Sequence, residues 1–157
     1  PAVSRSGQRR AQGYRAALTA VGLPVDPGLI HNCSPTVDGC REAARDLLET
    51  RPDIDALFCY NDLVAVGALR ACGEMGRRVP DDVAVVGFDD IPLAALVTPS
   101  LTTCRVPRYE LGERAMQLLL DQINEGDESL DSSPGTEIVL RPELVVRASA
   151  PFAGQGE

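Results

Sequence analysis

The stretch IDALFCYNDLVAVGALRACGEMG, residues 54–76, decides the fold. Its first seven residues, IDALFCY, read as a buried strand, a short and mostly apolar run. The run halts at Asn61-Asp62. Apolar residues resume at once in an alanine-rich helix over 62–76, which Gly76 stops. Further on, DVAVVGF at 82–88 reads as a second strand. It is apolar along most of its length, as strands covered on both faces are, and it too ends in a polar pair, Asp89-Asp90.

Upstream, QRRAQGYRAALTAV (8–21) sets Ala11, Tyr14, Leu18 and Val21 at helical spacing, with Gly22 as a stop. LPVDPG is a turn, and the short apolar piece Leu29-Ile30 after it is a candidate strand. A second amphipathic helix over 38–50 carries Ala43, Ala44, Leu47 and Leu48 and ends before Pro52. The order up to residue 88 is therefore helix, strand, helix, strand, helix, strand. Such alternation predicts an α/β fold, a doubly wound parallel sheet with helices on both faces.

Downstream, DDIPLAALVTPSLTTCRVP is a long loop carrying a strand-like LTTCRV. RYELGERAMQLLLDQI (108–123) is the most amphipathic helix of the chain, with Leu111, Ala115, Leu118, Leu119 and Ile123 on one face. NEGDESLDSSPG is acidic and turn-rich, an exposed and mobile loop. TEIVLRPELVVRAS supplies two short strands broken at Pro142, and the tail over 150–157 reads as frayed.

Composition narrows the function. A net charge of −8 with arginines dispersed among carboxylates argues against nucleic-acid binding by this segment itself. No apolar run is long enough to span a bilayer, and the first residues lack the apolar stretch of a secretory signal. Five cysteines (Cys33, Cys40, Cys59, Cys72, Cys104) without a C-x-x-C spacing read as free thiols in a reducing compartment. With one histidine, His31, and no paired ligand motif, neither a zinc site nor any other cofactor is expected. All fifteen basic residues are arginine, which removes a Walker lysine, a Schiff-base lysine and the lysine of a phosphoaspartate site. No nucleophile elbow is present, so an enzyme is not expected.

In an open parallel sheet, ligands sit beyond the carboxyl ends of the strands. Asn61-Asp62 and Asp89-Asp90 both fall there. Each pair has a plainer reading: Asn and Asp are favoured helix caps, and an Asp pair suits a turn. Arg9 and Arg10, near the start of the first helix, are either a solvated face or a part of the same edge. Together Arg, Asn and Asp make a donor, a donor/acceptor and an acceptor, a set that suits a polyhydroxylated small molecule.

RRAQGYRAAL, FCYNDLVAVGALRACGEMGRRVPDDVAVVGFDDIPLA, PSLTTCRVPRYELGERAMQLLL and LRPELVVRAS occur in order over about residues 5–149. In these the chain resembles the lactose/galactose repressor (LacI/GalR) family of bacterial transcription regulators. The resemblance implies a periplasmic-binding-protein-like sensor that binds a small effector, a sugar by default, between two lobes and forms a homodimer. Operator DNA would be held by a helix-turn-helix absent from this chain, and the location would be cytoplasmic. Residues 1–104 would be the C-terminal lobe, incomplete without the N-terminal part of the parent. Residues 105–124 would be a crossover segment and helix normally in the N-terminal lobe, 125–135 a flexible acidic loop, 136–149 returning strands and 150–157 a frayed tail.

By the same resemblance, Arg10, Asn61 and Asp89 would contact effector, with Asp62 left to cap the helix. Ser34 and Val106 would line the cleft at positions where sugar responders often carry an aromatic or a polar residue. Val66, Ile91, Pro92, Leu93 and Leu96 would form the dimer surface. Deprived of its usual cover, helix 108–123 would pack on its own lobe, swap onto a neighbouring chain or lose order. The competing reading is a periplasmic sugar-binding protein of a transporter, which shares the fold.

Overall fold

The computed structural model describes residues 4–125 and 137–151. The acidic loop over 125–135, apart from Glu125, and the tail from 152 lie outside the described residues. In chain order the elements are α1 (Arg5–Ala20), α2 (Val37–Thr50), β1 (Ala56–Phe58), α3 (Asp62–Glu74), β2 (Ala84–Val86), α4 (Pro92–Leu96), β3 (Thr103–Arg105), α5 (Arg108–Glu125) and β4 (Glu143–Val145).

β1 and β2 pair in parallel, Ala56 opposite Ala84 and Phe58 opposite Val86, as the alternating pattern requires. Parallel bridges from Val86 to Thr102 and from Asp89 to Arg105 then join β2 to the run that contains β3. β4 returns antiparallel on β3, with Cys104 opposite Leu144. Where two strands were expected over 136–149, residues 137–140 are irregular and β4 alone is a strand.

The core lies between α2, α3 and the strands. α2 buries Cys40, Ala44, Leu47 and Leu48, a stripe one helical turn wide. It seats closely on α3 because Gly67 faces it: a Cβ there would run into the Val37 carbonyl and press on Cys40. Ala65, Ala68, Ala71 and Cys72 complete the α3 face, against Val83, Val85 and Leu101.

Two expectations need correction. Leu29-Ile30 is not a strand. Asp26 accepts a hydrogen bond from the Gly28 N–H and Pro27 opens a single 3-10 turn over Pro27–Leu29, so local turn chemistry wins over two apolar side chains. The other concerns α5, which does not pack on its own lobe. Of its side chains up to residue 124, only Leu118 is half-buried; Leu111, Leu119 and Ile123 are exposed. α1 is also peripheral, with Ala11, Tyr14 and Leu18 half-buried and Val21 exposed beyond its end.

Candidate functional site

β1 and β2 end side by side, and the residues that follow them stay together. The Asp62 N–H donates to the Phe88 carbonyl at 2.9 Å, and the Asp89 N–H donates to the Cys104 carbonyl at 2.9 Å. Both strands carry an aromatic residue just before their polar pair, Tyr60 before Asn61-Asp62 and Phe88 before Asp89-Asp90. α1 delivers Arg10 to the same edge. Its guanidinium carbon lies 4.0 Å from the centre of the Phe88 ring and 4.6 Å from that of Tyr60. Its Nη2 stands 3.4 Å from Asp89 Oδ1.

α1 is tethered there at its first turn. The Tyr60 hydroxyl shares a hydrogen bond of 2.9 Å with Ser6 Oγ, and Ser4 Oγ reaches it at 3.5 Å. These hydroxyls, helped by Arg10, hold the Tyr60 phenol below its usual pKa.

Asp89 and Asp90 both have positive φ, 108° and 51°. A non-glycine backbone held in that region is kept there by its surroundings, and here Asp90 supplies them. Its Oδ1 accepts from Arg147 Nη2 and its Oδ2 from Arg105 Nε, each at 2.7 Å. Burial works to raise the Asp90 carboxyl, but the two arginines outweigh it and leave it below the usual carboxylate range. Asp89 goes the other way: partial burial raises its carboxyl despite Arg10. The half-exposed carboxylate beside Arg10 is thus the less stabilised of the two.

The structure corrects the role expected of Asp62, which does not cap the helix. Asn61 is the cap: its Oδ1 accepts from the Val64 N–H at 3.0 Å. That bond leaves the amide nitrogen of the same side chain available to donate. Asp62 is buried in the core, where Oδ1 accepts from Thr103 Oγ1 at 2.6 Å and Oδ2 from the Ile91 N–H at 2.8 Å. Gly87 lies directly against it, and a Cβ there would collide with Asp62 Oδ1. One carboxylate therefore ties the start of α3 to β3 and to the loop after Asp90.

Arg10 and Asp89 are brought together, and Asn61 stands between Tyr60 and Asp62 at the same strand end. Ser34 is exposed ahead of α2 and Val106 is half-buried between β3 and α5. Among the described residues neither is hydrogen-bonded or ion-paired to Arg10, Asn61 or Asp89. Among the proposed dimer residues, Pro92, Leu93 and Leu96 are exposed on α4, whereas Val66 and Ile91 are half-buried. No cluster of His, Cys, Asp or Glu among the described residues is arranged to hold a metal ion. Sequence reading missed Tyr60, Phe88 and the Asp90–Arg105–Arg147 bridge. The parallel signal Y-N-D and F-D-D at two strand ends was there to find the first two.

A family model described as a periplasmic binding protein-like domain matches residues 1–150. Over 92% of its length the chain is 39% identical to the HTH-type transcriptional regulator CelR of Thermobifida fusca, of which it covers 41%. It is 42% identical, over 73% of its length, to the HTH-type transcriptional repressor CytR of Escherichia coli, covering 33% of that protein. Among solved structures, a CelR–cellobiose complex superposes with a TM-score of 0.83 at 39% identity, over 92% of this chain and 42% of that one. A LacI family regulator from Arthrobacter sp. FB24 in complex with lactose gives 0.77 at 33% identity, over 90% of this chain and 50% of that one. The chain thus spans less than half the length of the curated relatives it matches here.

Proposed function

The chain belongs to the periplasmic binding protein-like domain family, among its LacI-type regulators, and from that membership we propose that it is the effector-sensing lobe of a bacterial transcription regulator. Its effector is a sugar or sugar derivative, held between this lobe and a second one supplied by the parent protein. Residues 1–104 form the sensing lobe, and 105–124 cross to the second lobe with α5. Effector binding alters the grip of a helix-turn-helix on operator DNA. The protein works in the cytoplasm as a homodimer, with Val66, Ile91, Pro92, Leu93 and Leu96 at the dimer surface and Ser34 and Val106 along the cleft.

The observation that carries this reading is the Arg10–Asp89 pair on the Tyr60 and Phe88 rings, at two adjacent strand ends. Arg10 donates, Asp89 accepts and the Asn61 amide donates, three fixed directions at which sugar hydroxyls are recognised. The aromatic rings supply an apolar floor. The relatives named above are transcriptional regulators, two of them solved with cellobiose and lactose. That favours a regulator over a transporter's receptor or an enzyme.

The test is fluorescence anisotropy of the parent protein on labelled DNA from its own promoter, with cellobiose, lactose and a set of monosaccharides added in turn. A shift of the DNA-binding curve by one sugar supports the proposal. Curves indifferent to every sugar, on DNA that the protein demonstrably binds, would overturn the sugar assignment.

A further inference from the structure

No residue of α1 is buried, so apolar packing does little to fix where that helix lies. Yet the side chain of Arg10 is only 19% exposed, beside Asp89 and against the Tyr60 and Phe88 rings. Asp89 alone does not hold it there. The contact of 3.4 Å is longer than the roughly 2.7–3.2 Å of a good N–H···O bond. A long side chain on a peripheral helix needs a further restraint to stay in one place.

Tyr60 supplies it. Ser6 and Arg10 are four residues apart, one turn from each other on the same face of α1. The Tyr60 hydroxyl meets the first at 2.9 Å from Ser6 Oγ, and its ring meets the second, with the guanidinium carbon 4.6 Å from the ring centre. Ser4, the N-cap of α1, joins the same cluster. Its Oγ accepts from the Gly7 N–H at 3.1 Å and lies 3.1 Å from Ser6 Oγ and 3.5 Å from the Tyr60 hydroxyl. Phe88 offers Arg10 a second ring, but it has no hydroxyl with which to fasten the helix.

We propose that Tyr60 is the positioning residue for Arg10, an inference that rests on the reading of Arg10 as an effector contact. Its hydroxyl latches the first turn of α1 to the strand end, and its ring holds the guanidinium one turn further on. Arg10 then gives up its rotamer freedom when the lobe folds rather than when the effector arrives, which is how preorganisation raises affinity. The arrangement also requires arginine, because a lysine has no planar group to lay on two rings.

The test reads Arg10 without any effector. The parent protein is given a short pulse of phenylglyoxal, which modifies accessible guanidinium groups, and the labelling of each arginine is followed by mass spectrometry. Arg147 is the comparator, as well covered at 18% exposed but held by Asp90 and the Leu101 carbonyl. Arg9 is the exposed neighbour. Arg10 is expected to label several-fold more slowly than Arg9. Tyr60→Phe, which keeps the ring and loses the latch, should speed Arg10; Tyr60→Leu, which loses both, should bring it to the rate of Arg9. Arg147 should stay slow in both. With a sugar that shifts DNA binding, Tyr60→Phe should also weaken that sugar's binding about 2- to 10-fold. Arg10 labelling unchanged in either variant, a rise shared with Arg147, or sugar binding unweakened in Tyr60→Phe would each overturn the inference and leave the sugar reading standing. Indifference to every sugar is a separate failure, that of the effector assignment, and the labelling still decides whether Tyr60 holds Arg10.

Discussion

Both carboxylate oxygens of Asp62 are spent inside the protein, one on the Thr103 hydroxyl and the other on the Ile91 N–H. Removing such a group leaves two buried partners unpaired, and a hydrogen bond to a buried charge is worth more than a neutral one. Asp62→Ala is therefore expected to destabilise the chain by about 3 kcal/mol, read from the midpoint of urea unfolding, with Asp62→Asn milder because it keeps one acceptor. An unchanged midpoint for Asp62→Ala would refute that role. The identity of this residue was visible in the sequence but its role was not. Asn and Asp are both favoured caps, and what separates them here is Thr103, far along the chain on β3. The same holds for Asp89 and Asp90. Arg147, which fixes Asp90, returns only with the last described segment.

α1, α2, α3 and α5 were legible because each has a local signature, whereas the short α4 lies in the stretch read as a long loop. α2 and α3 follow their apolar spacing and start at Thr36 and Asn61, whose side chains accept from the Gly39 and Val64 N–H groups. The strands that form were legible in place but not in length, since a ladder extends only as far as a partner does: of the run 82–88, Ala84–Val86 is strand, while the runs at 29–30 and 137–140 find no partner and are not strands. Asn61 carries the element-scale prediction, because its cap and its amide nitrogen can be separated. Asn61→Ala removes the cap and is expected to lower stability by about 1 kcal/mol, whereas Asn61→Asp keeps the capping oxygen and the stability. Thermal unfolding of both variants checks this. Equal losses in the two would mean that the Val64 bond is not what Asn61 contributes.

Across the whole molecule, the acid limb of stability follows from its carboxylates. Asp90 is held below its ordinary value by Arg105 and Arg147, and Asp82 is brought down to about 2 by its bonds to Arg78. A carboxyl whose folded pKa is lowered stabilises the fold above its unfolded value and loses that contribution as pH falls through the folded one. Asp89, raised by partial burial, works in the opposite sense, favouring the fold as it takes up its proton. Two strong pairings against one weak opposition predict thermal midpoints that are level from neutral pH to about 5 and fall below about 4. Midpoints that rise on acidification would contradict this. Among the described residues α5 has little cover: Leu111, Leu119 and Ile123 are exposed, and the proposed second lobe would bury them.

The central claim is that Arg10, Asn61 and Asp89 hold the effector, and titration calorimetry tests it most directly. The parent protein is titrated with whichever sugar shifts its DNA binding, then the experiment is repeated with Asn61→Asp and Asp89→Asn. Neither change should disturb the fold, since aspartate caps as asparagine does and asparagine tolerates positive φ. Each removes one hydrogen bond or charge at the site, so binding should weaken about 10- to 100-fold with thermal midpoints unchanged. Isotherms in both variants that overlay the unmodified protein's would contradict the claim and leave these residues as a cap and a turn.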